Sequence, residues 1–287
     1  MPVSQTQHTQ HSPGAQAFDV RRLSPHIGGE VTGLDLAQPL APETFAALRK
    51  AWLEHQVLVF RDQKLSDDDQ VRFARYFGTP IGSRSMQQAN PHVMLISNIR
   101  ENGQVIGQLP DGELQFHADS VFLEKPLMGA ILHSVEVPAS GGNTMFASTY
   151  AAYDALSRED KRRLSGLTAV NAFDYATQVR TGRFDTSKGP HWTHPVIRTH
   201  PETGRKGIFV NRLMTQHIVG LPLAESDALL PRLWELCERP AHIYEHVWRV
   251  GDVLMWDNRC TQHARTDFPE GERRLLRRVG IEGDKPY

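Results

Sequence analysis

The segment Gln115-Phe-His-Ala-Asp119 places a histidine and a carboxylate two positions apart. On a β-strand successive side chains alternate between faces, so His117 and Asp119 would project to the same side. With fourteen histidines in the chain, one His-x-Asp is expected by chance, and the pair alone decides little. Far downstream, Val253-Leu-Met-Trp-Asp-Asn-Arg-Cys-Thr-Gln-His263 runs from an apolar stretch into polar residues that end on a histidine. Two imidazoles and one carboxylate, with coordination positions left open, form the facial triad of non-haem iron(II) oxygenases. The open positions take a bidentate co-substrate and then O₂. A zinc-dependent hydrolase is the competing use of the same donors. It needs a general base beside the metal-bound water; Glu113 is the candidate, but no His-Glu-x-x-His segment accompanies it.

A second cluster of chemistry-bearing residues follows His263. Residues 273–278 read Arg-Arg-Leu-Leu-Arg-Arg. As a strand, this run puts Arg274, Leu276 and Arg278 on one face and Arg273, Leu275 and Arg277 on the other. An arginine turned into a barrel must meet an anion, because burying an unpaired charge is prohibitive. Guanidinium matches carboxylate in a bidentate fork and stays charged at any relevant pH. One inward arginine therefore suits the far carboxylate of 2-oxoglutarate, and the second suits an anionic substrate.

The elements that must carry these residues can be read in outline. The run Glu30–Leu36 alternates like a short strand, and Val57–Phe60 reads as a buried one. Pro42 opens a helix with Phe45, Leu48 and Trp52 at helical spacing, and Ser66 caps another that buries Phe73 and Phe77 and stops at Gly78. From residue 93 onward, short β-like runs recur between Pro, Gly, Asn and Asp turn signals, among them 93–96, 127–132, 195–199, 208–211, 244–249, 253–256 and 274–281. Helices interrupt them at 148–156, at 157–165 behind Ser157, and at 223–237. Residues 172–193 show no clear period and read as a lid-like loop. Residues 1–16, polar and without period, read as a disordered N-terminal tail. No internal repeat or linker divides 17–287, which reads as one domain, mainly β with flanking helices, in a barrel or jelly roll.

Composition excludes several classes. A formal charge of −1 over 287 residues offers no global attraction to nucleic acid or to an anionic membrane. No apolar run approaches the roughly 20 residues that span a bilayer, and the N-terminus lacks a secretory pattern. Two cysteines fit a reducing cytoplasm better than a disulfide framework.

Taken in order, Gly33-Leu-Asp-Leu36, Phe116-His-Ala-Asp119, Gly141-Gly-Asn-Thr144, His194-Pro-Val-Ile-Arg-Thr-His200, Trp256-Asp-Asn-Arg-Cys-Thr-Gln-His263 and Gly283-Asp-Lys-Pro286 resemble the taurine dioxygenase / 2,4-dichlorophenoxyacetate dioxygenase family over about residues 18–287. The resemblance implies a double-stranded β-helix, a cupin-like jelly roll. It implies Fe(II) on His117, Asp119 and His263, 2-oxoglutarate held by Thr144 and Arg274, and the substrate anion held by Arg278. It further implies O₂-dependent hydroxylation of a small anionic substrate (an aryloxyalkanoate, sulfonate, alkyl sulfate or other carboxylate), with C–O or C–S cleavage where the hydroxylated product collapses. A homodimer or homotetramer is implied as well. A reading from another class is a non-catalytic jelly-roll binding protein that kept its barrel without its chemistry. Trp248 and Trp256 read as core packing, His194 as packing within the His-Pro element, and Gly141-Gly142 as the tight turn that lets Thr144 approach the co-substrate.

Overall fold

The computed structural model describes residues 17–82, 90–108, 112–173, 179–180 and 182–287. The expected disordered tail, 1–16, lies outside the described residues. The large sheet joins eight strands, in the spatial order Asp19–Arg22, Gly29–Thr32, Val57–Phe60, Val253–Asp257, Gly129–Glu136, Leu275–Ile281 and Pro80–Ile81, with Met94–Ser97 also paired to Leu275–Ile281. The small sheet has four, ordered Ile243–His246, Thr144–Ser148, Thr261–Arg265 and Leu114–His117. In both sheets strands distant in sequence lie side by side. This crossed, largely antiparallel sandwich is the expected jelly roll, the double-stranded β-helix.

Central strands of the large sheet are covered on both faces, which is why they read as unbroken apolar runs. In Val57–Phe60, Leu58 and Phe60 pack with Trp52 and Phe73 toward the helices. Val57 and Val59 pack with Phe146, Trp256 and Leu276 between the two sheets. Helices Pro42–His55 and Asp67–Arg75 supply the outer cover. Pro42 starts the first, and Ser66 caps the second in a reciprocal box with Asp69. Each Phe-sized side chain buried this way contributes roughly 1.5–3 kcal/mol.

Two expectations need correction. The second helix ends at Arg75 with Tyr76 in a right-handed conformation, and Gly78 is not a left-handed cap. A Cβ at Gly78 would come 2.9 Å from Ile281 Cγ2, so close packing on the large sheet is what calls for glycine there. The stretch 172–193 is not simply a loop: His191–Pro195 pairs with Thr168–Ala172, which pairs in turn with Thr215–Ile218. The outer strand is mostly exposed, so it shows no apolar alternation. Residues 174–178 and 181 of that stretch lie outside the described residues. Helix Leu223–Cys237 appears where its Leu229, Leu230, Leu233 and Leu236 stripe predicts, packed on Ala169 and Ile218. Among the described residues no helix is long and apolar enough to cross a membrane.

Candidate active site

Strands Leu114–His117 and Thr261–Arg265 are neighbours in the small sheet, and His117 and His263 are direct cross-strand partners. Their ring centroids lie 4.1 Å apart. His117 Nδ1 lies 2.9 Å from Gln115 O, which leaves Nε2 to face the site. Phe146 stands opposite His263 on its other flank, and Trp256 packs on the His263 ring at 4.9 Å.

Asp119 arrives by a different route from the one its spacing suggests. The strand stops at His117, and Asp119 stands in the turn beyond it, ahead of Ser120 at φ 59°. Asn258, fully buried, fixes that turn. Its Oδ1 accepts from Asp119 N at 2.7 Å, and its Nδ2 donates to Asp119 O at 3.0 Å and to Leu127 O at 2.8 Å. The carboxylate still joins the histidines: one ligand atom from each of His117, Asp119 and His263 lies within 4.8 Å of the others.

Electrostatics leave these groups in the protonation states that ligate metal. Burial, reinforced by His117, pushes His263 down to about 3, and burial lowers His117 too. Burial alone would raise Asp119; the Arg278 guanidinium, with lesser help from the histidines, outweighs it and holds the carboxyl at about 2. Two neutral imidazoles and one carboxylate are the donor set that iron(II) takes.

The arginine run alternates in burial as its sequence predicts, although the strand itself begins only at Leu275, one residue after Arg274. Arg273 pairs with Glu136 and Arg277 with Asp67 on the outward face, while Leu276 packs between the sheets. Arg278 turns inward, with Nη2 2.8 Å from Asp119 Oδ2. Arg274 is 2% exposed and donates to Gly142 O at 3.2 Å, while its Nε is buried without a hydrogen-bond partner. Among the described residues no carboxylate pairs with it. Burial, then the nearby Arg265, lowers it to about 9, so it stays charged at neutral pH. Gly142 makes room for it: the backbone sits at φ 63°, and a Cβ there would lie 3.3 Å from Arg274 Nε. Gly142 thus serves the arginine directly, while Gly141, at φ 71°, lies where a Cβ would collide with Asp267 O. Thr144 is 4% exposed, and its hydroxyl accepts from Trp248 Nε1 at 3.0 Å.

The remaining candidates fall elsewhere. Glu113 is exposed. His194 is buried against Phe209 with Nε2 2.9 Å from Leu123 O. His200, Asp257 and Cys260 form a second cluster of potential ligands. Its carboxylate is already taken, by Arg259 Nε at 2.9 Å, Arg259 Nη2 at 2.8 Å and His200 Nε2 at 3.0 Å. A guanidinium occupies the place a cation would need. Sequence reasoning missed Asn258 and the polar role of Trp248; neither has a local signature, since their partners are 139 and 104 residues away.

Fold and site together define a class: a jelly roll with a candidate two-histidine, one-carboxylate metal cluster and a buried arginine without an acid partner among the described residues. The family described as Taurine catabolism dioxygenase TauD, TfdA family matches residues 19–279, and the chain belongs to it. It is therefore an enzyme, an oxidoreductase of the dioxygenase type. One relative, the (S)-phenoxypropionate/alpha-ketoglutarate-dioxygenase of Sphingobium herbicidovorans, is 35% identical over 93% of this chain and 96% of its own length. The alpha-ketoglutarate-dependent sulfate ester dioxygenase of Pseudomonas putida is 33% identical over 96% and 93% of the two chains. A crystal structure of a taurine dioxygenase from Burkholderia xenovorans superposes with a TM-score of 0.80 at 34% identity, covering 94% of this chain and 92% of that one.

Proposed function

We propose that this chain is an Fe(II)- and 2-oxoglutarate-dependent dioxygenase that hydroxylates a small anionic organic substrate. The carrying observation is Arg274, a buried cation with no acid partner among the described residues, just ahead of the strand that carries Arg278, which touches Asp119. A buried guanidinium calls for an anion. The far carboxylate of 2-oxoglutarate fits it, with Thr144 as a second contact. His117, Asp119 and His263 would hold the iron.

Bound iron and 2-oxoglutarate supply the O₂ activation: substrate C–H, O₂ and 2-oxoglutarate become C–OH, succinate and CO₂. The chain's own residues orient and enclose. Arg278 stands beside Asp119, so a substrate anion on its guanidinium would bring a neighbouring carbon to the metal side of the pocket. Phe146, Trp256 and Leu276 pack the inter-sheet floor and exclude water. The relatives named for phenoxypropionate and for sulfate esters support an anionic substrate, here an aryloxyalkanoate, sulfonate, alkyl sulfate or other carboxylate. Hydroxylation beside an ether or sulfate oxygen leads to C–O cleavage, and beside a sulfonate to C–S cleavage. A cytoplasmic homodimer or homotetramer is part of the same reading.

The test is substrate-triggered succinate release across these four substrate classes. Wild type should respond to at least one class and require O₂. Asp119→Ala and His263→Ala should release no succinate and lose iron binding. Undiminished release in either variant, or turnover without O₂, would sink the proposal.

A further inference from the structure

Trp248 lies in the stretch that follows strand Ile243–His246. Its neighbour Val247 is 63% exposed, yet Trp248 itself turns inward and is 7% exposed. The stretch is folded back on the large sheet: Arg249 N donates to Asp252 Oδ2 at 2.8 Å, Gly251 N to Ser134 O at 3.0 Å, and Ser134 Oγ to Arg249 O at 2.6 Å. The His246 ring packs edge-on against the indole at 4.6 Å. His246 is itself pinned by Asp252 Oδ2 at 3.0 Å and by the Tyr244 hydroxyl at 2.9 Å. All this fixes one polar contact, the indole Nε1 donating to Thr144 Oγ1 at 3.0 Å.

An indole nitrogen can only donate, whereas a threonine hydroxyl carries one proton and two lone pairs. Accepting from Trp248 commits a lone pair of Thr144 and sends the hydroxyl proton elsewhere. Among the described residues no acceptor receives that proton, although Thr144 is 4% exposed. Two residues earlier in the chain, Gly142 O takes the Arg274 guanidinium. We propose that Trp248 is a positioning residue for the co-substrate: its indole N–H holds the Thr144 hydroxyl so that the hydroxyl proton is offered to the carboxylate that Arg274 binds. This rests on the reading of Thr144 and Arg274 as the 2-oxoglutarate site. Core packing explains the burial of Trp248 but not why its one donor is spent on that hydroxyl.

The test uses Mn(II)-loaded enzyme and two calorimetric readouts, Mn(II) affinity and 2-oxoglutarate affinity. Trp248→Phe keeps a ring and removes the donor. It should weaken 2-oxoglutarate about 5- to 10-fold, the size of one lost hydrogen bond between neutral groups. Mn(II) affinity should stay unchanged. Thr144→Val should weaken 2-oxoglutarate at least as much. In the Thr144→Val background, Trp248→Phe should cost nothing further, because the hydroxyl it orients is gone. Trp248→Tyr, which also lacks the indole donor, should repeat the result if the phenylalanine variant does not fold. Unchanged 2-oxoglutarate affinity, parallel loss of Mn(II), or losses that multiply in the double variant would each leave Trp248 as packing alone. Wild type that binds no 2-oxoglutarate overturns the reading of the site, and this proposal with it.

Discussion

Arg274 is charged where burial opposes charge. Its folded-state pKa, about 9, lies below the ordinary arginine value, so unfolding is favoured wherever the group is protonated in both states. The cost is fully present at pH 7 and fades only as pH rises through 9, or when an anion pairs with the guanidinium. Arg274→Met, similar in length and uncharged, should therefore make the ligand-free protein more stable, by about 1–3 kcal/mol. The same substitution should weaken 2-oxoglutarate by about 100-fold, from the loss of charge-assisted hydrogen bonds. Arg278→Met should leave 2-oxoglutarate near wild type and weaken the substrate instead. Urea denaturation and calorimetry read the two sides. A ligand-free Arg274→Met protein that is less stable than wild type would mean the guanidinium is already satisfied.

At the scale of elements, the turn Asp257–Cys260 does most to place the metal cluster. Asp257 is gripped by Arg259 and His200, and the Thr261 hydroxyl donates to Asp257 O at 2.8 Å. The strand that follows delivers His263, while Asn258 reaches back to clamp Asp119. Asn258→Ala should free the Asp119 turn and lower iron affinity about 10- to 100-fold, as loss of an outer hydrogen-bonding partner typically does. Affinity for 2-oxoglutarate in metal-saturated enzyme should change far less. Equal losses in both would point to general unfolding of the site. The sequence reached part of this arrangement. Period-two alternation is local, so the split between Arg274 or Arg278 and Arg273 or Arg277 was legible. Helix stripes and caps, such as Ser66, Ser157 and the 223–237 leucines, were legible for the same reason. His117 and Asp119 were paired correctly as neighbours, yet the strand assumed for them ends at His117. What holds Asp119 is a side-chain amide from the far end of the chain, and no local pattern announces such a bond.

Over the whole molecule, a net charge of −1 conceals an interior organised around uncharged imidazole. Composition counts fourteen histidines but cannot say which are buried. The fold decides it: burial lowers His55, His117, His133, His194, His242, His246 and His263 alike. His194 falls to about 4 and His263 to about 3. In the unfolded chain these rings take up protons near pH 6.5. Below that pH the unfolded state binds more protons than the folded one, so stability is full above about pH 6.5 and is lost as pH falls toward each folded value. A ring as buried as His194 contributes a slope of about 1.4 kcal/mol per pH unit inside its window. Asp257 and Asp119, held low by Arg259 and Arg278, extend the loss below about pH 4, the ordinary range of a free aspartate. The metal-free protein should therefore lose stability steeply between pH 7.5 and about pH 5.5, before any carboxylate titrates. Iron(II) or Mn(II) should steepen the loss, because metal binds the neutral imidazoles of the folded state and competes with protons for them. Denaturant titrations at those two pH values, with and without metal, measure both slopes. Equal stability at the two values in metal-free protein would mean that the interior histidines already carry protons, and the site would then lack the neutral ligands it needs.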